Sequence, residues 1–315
     1  MTRGRSPAPH PRVAILNPVA PGARRRLDLA RSFERAGADE VLVTSGPGDA
    51  ARLARDAATA GARTLIIAGG DGTLHEAVNG LAGRGGTEPA PRLALVPLGT
   101  GNDLACALGI PSDPEAALAL LDGGAPGPLD LVGVTGLEGF RVANFAMGGF
   151  AGRIAERVTL RRRRVWGRHV YLRAALDEIV ARRGWRLEVT VDGARLPIRE
   201  GLAVLVANGP RFGGGIPMAP GARTDDGLLD VLVLDAVPLP ALLRVIVRAL
   251  RGRHLDDPAV RWTRGRRVDV DAEPDLPWNG DGELFGTGSA SFESLAAAVD
   301  VQLPLRALAA GSPAA

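Results

Sequence analysis

The stretch Thr64–Leu81 constrains the fold strongly, because an apolar run ends abruptly in the sequence GGDGT and then changes to helical spacing. The apolar residues Leu65–Ala68 do not alternate with polar ones, which is typical of a strand buried on both faces of a parallel sheet. Thr73 followed by Glu76 has the spacing of a helix-capping box. The stretch therefore predicts a strand, a glycine loop and a helix that begins after the loop.

The glycine loop has the composition of an anion-binding site. Gly69, Gly70 and Gly72 lack a Cβ atom, so the loop can adopt positive φ angles and a phosphate can approach the bare backbone. Asp71 adds one carboxylate, and a helix N-terminus at the same point favours a negative ligand. The loop is not a Walker loop, because no Gly-Lys-Ser/Thr follows and the chain contains no lysine. A glycine-rich turn with a solvated aspartate is the alternative interpretation.

The first part of the chain alternates strands and helices in short steps. The other predicted elements are strands at Val13–Leu16, Glu40–Thr44 and Leu93–Val96 and helices at Arg24–Ala36 and Asp49–Ala60. This alternation implies a doubly wound parallel sheet, whose ligands bind beyond the carboxyl ends of the strands. The loop Asn17–Gly22 and a second strand-to-helix junction, Pro97–Leu104, are therefore expected to face the same crevice as GGDGT.

The pattern changes after Pro126, where the apolar segments become strand-like and are separated by turns such as Asp192-Gly193. Two helical stretches interrupt them, Arg153–Arg183 and Leu239–Arg251. The predicted fold class is α/β, with an N-terminal doubly wound domain and a C-terminal domain rich in antiparallel sheet. The predicted bounds are 10–128 and 129–305 for the two domains and 1–9 and 306–315 for disordered tails.

Charge and composition indicate which partners the protein can bind and in which compartment it is expected. The net charge is +3, but the arginines occur in groups that can attract anionic lipid headgroups or nucleic acid, or can form a solvated face. The groups are Arg24–Arg26, Arg161–Arg164, Arg244–Arg253 and Arg261–Arg267. The N-terminus lacks the apolar segment of a signal peptide, and Val237–Leu250 is too short to span a bilayer, so we expect a cytoplasmic protein. The single cysteine, Cys106, excludes an internal disulfide and is expected in the core.

Late in the second domain, Asp281-Gly282-Glu283 places two carboxylates in a glycine-lined turn. Such a turn is usually a solvated hairpin tip. Trp278 and Phe285 flank this one and make a fully exposed tip less favourable, so a functional turn is the competing interpretation.

Taken together, these stretches resemble the soluble diacylglycerol kinase catalytic-domain family, including its bacterial members and sphingosine kinase relatives. The matching stretches, in order, are Asn17-Pro18, Gly69–Thr73 with Glu76, Pro97–Asp103, Leu129-Asp130, Asn144–Gly149, Asn208–Gly215, Asp226–Asp230 and Asp281–Glu283. GGDGT by itself is weakly specific, since NAD kinases and phosphofructokinases carry it too, but the ordered set covers nearly the whole chain. The resemblance implies an NAD kinase-like first domain and a β-sandwich second domain, with ATP and a lipid meeting between them.

The resemblance also implies a role for individual residues, with ATP and Mg²⁺ as cofactors. The implied nucleotide-binding residues are Asn17, Gly69, Gly70, Asp71, Gly72, Thr73, Glu76, Thr100 and Asn102. The implied metal network, partly through water, is Asp71, Asp103 and Asp130, with Asp226 at a second, structural magnesium site. Asp281 would be the general base on the lipid hydroxyl, and Glu283 would act in the same network.

The implied reaction transfers the γ-phosphate of ATP to a lipid hydroxyl, with diacylglycerol giving phosphatidic acid as the first choice. The implied partners are ATP and a lipid substrate at the membrane surface, with no nucleic acid, and a homodimer is left open. Peripheral association with the membrane is expected, and Arg161–Arg164 beside Trp166 form the predicted interfacial anchor.

Two positions depart from the family's pattern. The loop Asn17–Gly22 lacks the hydroxyl residue that usually precedes its glycine, and Ala105-Cys106 stands where an arginine often follows the Asn-Asp helix start. These departures bear on nucleotide affinity and headgroup recognition. The alternatives are an NAD kinase, whose Asn-x-Gly and Gly-Phe-Leu segments the chain does not contain, and a catalytically inactive lipid-binding relative.

Overall fold

The computed structural model describes residues 11–24, 29–82, 90–137, 140–150, 152–153 and 184–305. The chain divides into two compact units, the first being Met1–Pro128 with Val299–Ala315 and the second Leu129–Ala298. The sequence instead predicts residues 299–305 in the second domain. The predicted tails, the anchor at Arg161–Arg164 with Trp166, and residues 154–183 of the predicted long helix lie outside the described residues.

The first unit contains a parallel sheet flanked by helices. Its elements are β1 Arg12–Leu16, α1 Pro21–Arg24, α2 Leu29–Arg35, β2 Glu40–Val43, α3 Asp49–Thr59, β3 Thr64–Gly69, α4 Asp71–Ala82, β4 Arg92–Pro97, α5 Asp103–Ala107, α6 Pro114–Leu118 and α7 Leu120–Gly123. The first four strands are parallel in the order β4-β3-β1-β2. β3 and β4 are buried from their second residue onward, as their unbroken apolar sequences predict.

Of the helix predicted at Arg24–Ala36, residue 24 lies in α1 and residues 29–35 form α2, while residues 25–28 lie outside the described residues. α1 begins inside the loop predicted at Asn17–Gly22, because Pro21 has the fixed φ angle that suits the first position of a helix. The predicted ends of α2 and α3 are confirmed, since Gly37 and Gly61 follow them with φ angles of 74° and 93°.

The second unit is built mainly from antiparallel strands. Its elements are β5 Ala125–Thr135, β6 Arg141–Val142, β7 Phe145–Gly149, β8 Trp185–Val191, β9 Ala194–Arg195, β10 Glu200–Ala207, β11 Leu229–Asp235, α8 Leu239–Ala249, β12 Val260–Gly265, β13 Arg267–Glu273, β14 Pro277–Gly280, β15 Glu283–Thr287 and β16 Ala290–Leu303. β10 pairs with β7 and β11, β7 also pairs with β14, and β13 pairs with β8 and β16, all antiparallel. The main core cluster combines strand valines with Trp185, Trp278 and Phe292. The start of β5 and the end of β16 belong to the first unit, where Val301 pairs with Leu93 of β4.

Two surface features differ in how well the sequence predicts them. Cys106 is exposed on α5, so its expected place in the core is wrong. The longest apolar stretch forms α8, as predicted, and no helix among the described residues is long and apolar enough to cross a membrane.

Candidate functional site

The loops that follow β1 and β3 lie at the switch point of the parallel sheet. The chain passes from β1 to β2 on one side and then returns to β3 on the other side of β1. Leu16 and Ala68 are paired where these two strands end, so the loops that start at Asn17 and Gly69 begin side by side. Open parallel sheets bind ligands at such a point. Both predicted nucleotide loops therefore start where the fold favours a ligand.

Asn17 ties these two loops together. Its backbone N–H donates to the carbonyl of Ala68 at 2.9 Å, and its side-chain Nδ2 donates to the hydroxyl of Thr73 at 3.0 Å. Its Oδ1 accepts a hydrogen bond from the N–H of Val19 at 3.1 Å. The side chain of Asn17 therefore positions the start of α4 and the turn that follows β1.

Close packing, and not a positive φ angle, explains the first two glycines of GGDGT. None of Gly69, Gly70 and Gly72 has a positive φ, so the loop does not use the freedom that glycine allows there. A Cβ atom on Gly69 would clash with the side chain of Thr73, and one on Gly70 would lie 3.0 Å from the Cα of Gly99. A Cβ atom on Gly72 would meet nothing within 4 Å. Gly72 is thus the glycine whose missing side chain leaves space for an external group.

α4 begins at Asp71, directly after β3, so the predicted capping box of Thr73 and Glu76 is wrong. Glu76 instead accepts a hydrogen bond from the backbone N–H of Ala50 at 3.1 Å, which joins α4 to α3. Leu74 donates a hydrogen bond to the carbonyl that precedes the helix. The N–H groups before it have no acceptor within the helix, and a helix start of this kind favours an anion.

The loop after β4 packs against GGDGT and is closed by Asn102. This residue adopts a φ of 53°, its Oδ1 accepts from the N–H of Gly99 at 2.9 Å, and its Nδ2 donates to the carbonyl of Gly99 at 3.0 Å. Thr100, between them, is exposed. Asn102 therefore holds the loop in shape, and Thr100 is the predicted nucleotide-binding residue whose side chain faces solvent.

Asp71 and Asp103 are the predicted metal ligands of the first unit. Oδ1 of Asp71 lies 3.5 Å from the N–H of Leu104, a long contact that joins the two loops. Asp103, the first residue of α5, is buried, with 6% of its surface exposed. Carboxylates are ligands that Mg²⁺ prefers, and Mg²⁺ usually keeps several waters, so this pair fits a partly hydrated ion. The described residues contain no group of three or more His, Cys, Asp and Glu side chains that could hold a metal ion.

Asp281 lies in the two-residue turn between β14 and β15. Asp281 and Gly282 have φ angles of 49° and 98°, so the Asp-Gly pair forms a tight hairpin turn. Its carboxylate is nevertheless tied down: Oδ2 accepts from the N–H of Ala143 at 2.7 Å, and Oδ1 accepts from the N–H groups of Asn144 and Phe145 at 3.0 and 3.2 Å. We call the three donors at residues 143–145 the amide clamp. Asp281 is half-buried, so its part of the hairpin tip is not fully solvated.

Glu283 differs from Asp281, although only one residue separates them. It is exposed and is paired with Gly280 at the start of β15. The amide clamp holds Asp281 and not Glu283. The structure thus separates the two carboxylates that the sequence groups together.

Asp130, the predicted metal ligand of the second unit, is held by a second pair of amides. It is only 2% exposed, and its two oxygens accept from the N–H groups of Gly227 and Ala297, each at 2.7 Å. Its own N–H donates to the carbonyl of Thr224 at 2.7 Å. Each carboxylate oxygen has a further lone pair, so a contact with a metal through water fits this arrangement.

Two buried asparagines that had no predicted role connect Asp130 to the amide clamp. Nδ2 of Asn208 donates to the carbonyls of Asp130 and Ala143 at 2.7 and 2.8 Å, and Nδ2 of Asn144 donates to the carbonyl of Arg211 at 2.8 Å. The Oδ1 atoms of both asparagines are buried without a hydrogen-bond partner. The available sequence signal was that both asparagines lie inside the matching stretches, each directly after a Val-Ala pair.

Asp226, predicted at a second metal site, lies in the turn before β11. Its Oδ1 accepts from the N–H of Leu228 at 3.0 Å. Burial raises the pKa of Asp226 above its usual value, and the Leu228 hydrogen bond opposes this shift. The charge of Arg264 also opposes it, while the charges of Asp230 and Asp130 add to it. A cation beside Asp226 would therefore relieve unfavourable charge.

Comparison with known proteins assigns the chain to a family. Residues 11–134 match the family model described as "Diacylglycerol kinase catalytic domain", and residues 145–303 match "YegS C-terminal NAD kinase beta sandwich-like domain". The chain is 32% identical over 279 residues to a diacylglycerol kinase of Bacillus subtilis (strain 168), covering 88% of this chain and 89% of that protein. This chain belongs to the diacylglycerol kinase and YegS-like family of lipid kinases. It is also 38% identical over 279 residues to a Pseudomonas aeruginosa (strain UCBPP-PA14) protein described as "Probable lipid kinase YegS-like", covering 87% and 85%.

Solved structures show that this lipid kinase has the predicted fold. A crystal structure of a diacylglycerol kinase from Bacillus anthracis str. Sterne matches with a TM-score of 0.69 and 23% identity, covering 93% of this chain and 97% of that one. An NAD kinase from Archaeoglobus fulgidus in complex with ATP matches with a TM-score of 0.54 and 13% identity, covering 95% and 96%. The predicted family, the enzyme class and the α/β fold with parallel N-terminal and antiparallel sandwich strands are confirmed. Family membership also favours a lipid kinase over the NAD kinase and inactive alternatives.

Proposed function

We propose that this lipid kinase transfers the γ-phosphate of ATP to the hydroxyl of diacylglycerol and forms phosphatidic acid, with Mg²⁺ as cofactor. The observation that carries the proposal is the glycine loop at the switch point, where the first turn of α4 presents backbone donors and Gly72 leaves space beside them. An NAD kinase of similar fold binds ATP. Diacylglycerol is the substrate in the name of the Bacillus subtilis relative.

In the first unit the residues bind and orient the nucleotide. The backbone N–H groups of Asp71–Thr73 receive the phosphates, where the helix N-terminus favours their charge. Asn17 holds Thr73, and Glu76 holds α4 against α3, so that these donors keep their positions. Asp71 and Asp103 would hold Mg²⁺, Asp130 would contact it through water, and the ion would neutralise the phosphate charge.

In the second unit Asp281 acts as the general base. Its carboxylate accepts the proton of the lipid hydroxyl while the hydroxyl oxygen forms a bond to the γ-phosphorus, and the bond from that phosphorus to the bridging oxygen breaks to release ADP. The amide clamp holds the carboxylate in one place, which a positioned base requires. Glu283, exposed beside it, has a supporting role.

The test is a phosphorylation assay with open substrate choice. The protein is incubated with ATP, Mg²⁺ and a bacterial lipid extract supplemented with diacylglycerol, and the products are searched by mass spectrometry for lipids heavier by one phosphate. Formation of phosphatidic acid that stops when Mg²⁺ is chelated is expected. Phosphorylation of another lipid, or of NAD in a parallel reaction, would contradict the proposed substrate.

A further inference from the structure

Helix α8 exposes a row of apolar side chains. Leu243, Val247 and Leu250 are 48%, 46% and 60% exposed, and we call these three residues the α8 ridge. Leu250 caps the C-terminal end of α8 with helical dihedral angles, so at about 100° per residue the three positions fall within a sector of about 60° on one side of the helix. The residues that pack the helix onto the second unit are Leu242, Val245 and Ala249. The ridge is therefore additional to the apolar face that the fold buries.

Arginines line one side of the α8 ridge. Arg244 and Arg248 lie about 100° and 140° around the helix from Leu243, and Arg251 follows the C-terminal end of α8. Arg244 is anchored by two hydrogen bonds of 2.9 Å to the buried carboxylate of Asp257, and 49% of its side chain stays exposed. Arg251 is exposed. Residues 236–255 contain four arginines and no aspartate or glutamate. Arg248 also lies 3.6 Å from Asp257, so one carboxylate serves both Arg244 and Arg248, and this edge keeps a net positive charge.

This combination favours an anionic lipid surface over a second copy of the chain. An apolar row beside fixed positive charge is typical of a helix that lies in the interface of a membrane with anionic lipids. Two copies packed ridge to ridge would bring two rows of arginines together, and in each copy a single carboxylate, that of Asp257, serves both Arg244 and Arg248. An isolated exposed leucine needs no explanation, but three exposed apolar side chains in one row with a positive border form a patch of the kind that marks an interaction site.

We propose that the α8 ridge is the surface by which this lipid kinase docks on an anionic membrane. Leu243, Val247 and Leu250 enter the boundary between headgroups and acyl chains, and Arg251 contacts the lipid phosphates. The inference rests on the proposed function in one respect, that the substrate is reached at a bilayer. Of the four arginine groups in the sequence, the proposal assigns contact with the membrane to the group at Arg244–Arg253.

The test compares the full chain with the double variant Leu243→Asp/Leu250→Asp in vesicle flotation without ATP. The vesicles contain equal parts of phosphatidylglycerol and phosphatidylcholine, or phosphatidylcholine only. The double variant is expected to bind the anionic vesicles at least about tenfold more weakly, since two apolar side chains no longer leave water. Arg251→Gln is expected to weaken binding about fivefold on anionic vesicles only. Val43→Asp, which changes an apolar side chain that is 54% exposed on β2, is the matched control and should bind like the unchanged protein.

Three results would overturn the proposal. The first is equal binding by the double variant and the unchanged protein, and the second is an equal loss in Val43→Asp. The third is a dimer that dissociates in the double variant while its vesicle binding is retained, which would make the ridge an interface between copies. Unchanged melting temperatures show that the variants are folded.

Activity separates this inference from the proposed function. With diacylglycerol in detergent micelles the double variant should keep its turnover, whereas on anionic vesicles turnover should fall with binding. If the unchanged protein phosphorylates no diacylglycerol in either form, the proposed substrate is wrong, and the flotation comparison still decides whether the α8 ridge binds lipid.

Discussion

The glycine loop of the first unit and the Asp281 turn of the second both depend on backbone N–H groups, but they use these groups in opposite ways. The first turn of α4 presents N–H groups that have no acceptor within the helix, at a point where Gly72 has empty space beside it. In the second unit, the amide clamp and the N–H groups of Gly227 and Ala297 are taken up by the chain's own carboxylates. The first region is suited to an external anion, whereas the second fixes internal ones.

This difference implies that different kinds of substitution should disrupt the two regions. The glycine loop should be sensitive to added atoms, because its donors belong to the backbone and survive most side-chain changes. The second region should be sensitive to lost hydrogen-bonding atoms, because its geometry depends on particular carboxylates and amides. Substitutions that add one methyl group or exchange one oxygen for nitrogen can test this contrast.

The largest effect is expected from Asp281→Asn. If Asp281 is the base, turnover should fall about 10²–10⁴-fold while ATP still binds, as measured by steady-state kinetics and nucleotide titration. The amide clamp adds a second consequence: the asparagine NH₂ must face one of the three N–H donors, so stability should fall by about 1–3 kcal/mol, as measured by urea unfolding.

Glu283→Gln, in the same turn, is the matched control for Asp281→Asn and should lower turnover far less, because Glu283 is exposed. Recovery of the Asp281→Asn enzyme by added Mg²⁺ would identify Asp281 as a metal ligand instead. If the Asp281→Asn variant keeps more than about a tenth of normal turnover, Asp281 is neither the general base nor a metal ligand.

The next effect is expected from Asn208→Ala, which removes the donor shared by the carbonyls of Asp130 and Ala143. Two buried carbonyls lose their partner, so the free energy of unfolding should fall by about 2–4 kcal/mol in urea titrations. Asn79→Ala, which removes a half-buried amide from α4, should cost less than about 1 kcal/mol. Equal costs for the two variants would show that Asn208 does not hold the clamp together.

A smaller effect, with opposite signs for binding and stability, is expected from Gly72→Ala. Its methyl group meets no protein atom and replaces a helical glycine, so the melting temperature should hold or rise. ATP affinity should fall about tenfold if phosphate occupies that space. Gly70→Ala should instead lower the melting temperature, because its Cβ would lie 3.0 Å from the Cα of Gly99. Normal ATP affinity in Gly72→Ala, measured by calorimetry, would show that no phosphate of ATP binds beside Gly72.

The smallest effect is expected from Asp226→Asn. Because the folded-state pKa of Asp226 is raised, its negative charge destabilises the folded protein at neutral pH. This destabilisation decreases as the pH falls through the folded-state pKa, and it is absent below the usual pKa of 3.8. The variant should therefore melt about 1–3 °C higher at pH 7 and show no gain below the usual value. If Asp226 holds a cation, Mg²⁺ should raise the melting temperature of the unchanged protein and not of the variant. A lower melting temperature of the variant at pH 7 would contradict the unfavourable charge.

The elements that carry both regions were predictable, whereas several contacts were not. The apolar run before Gly69 and the Asp281-Gly282 turn are local signals, and the structure contains the strand and the hairpin that they indicate. The capping box at Thr73 was wrong because only Gly70 separates β3 from α4, so Thr73 lies inside the helix and packs against Gly69. The contact that Glu76 makes with Ala50 depends on how α3 and α4 pack, which neither helix sequence indicates.

The sequence by itself determined where the main strands and helices form and to which family the chain belongs, because periodicity, glycine placement and ordered motifs are read along the chain. Only the tertiary structure decided what the polar side chains do. The hydrogen bond of Asn17 spans 56 positions, that of Asn208 to Asp130 spans 78, and that of Asp281 to Ala143 spans 138. A backbone amide needs a side-chain acceptor where strands stop pairing, and which carboxylate reaches it is set by the packing of distant segments.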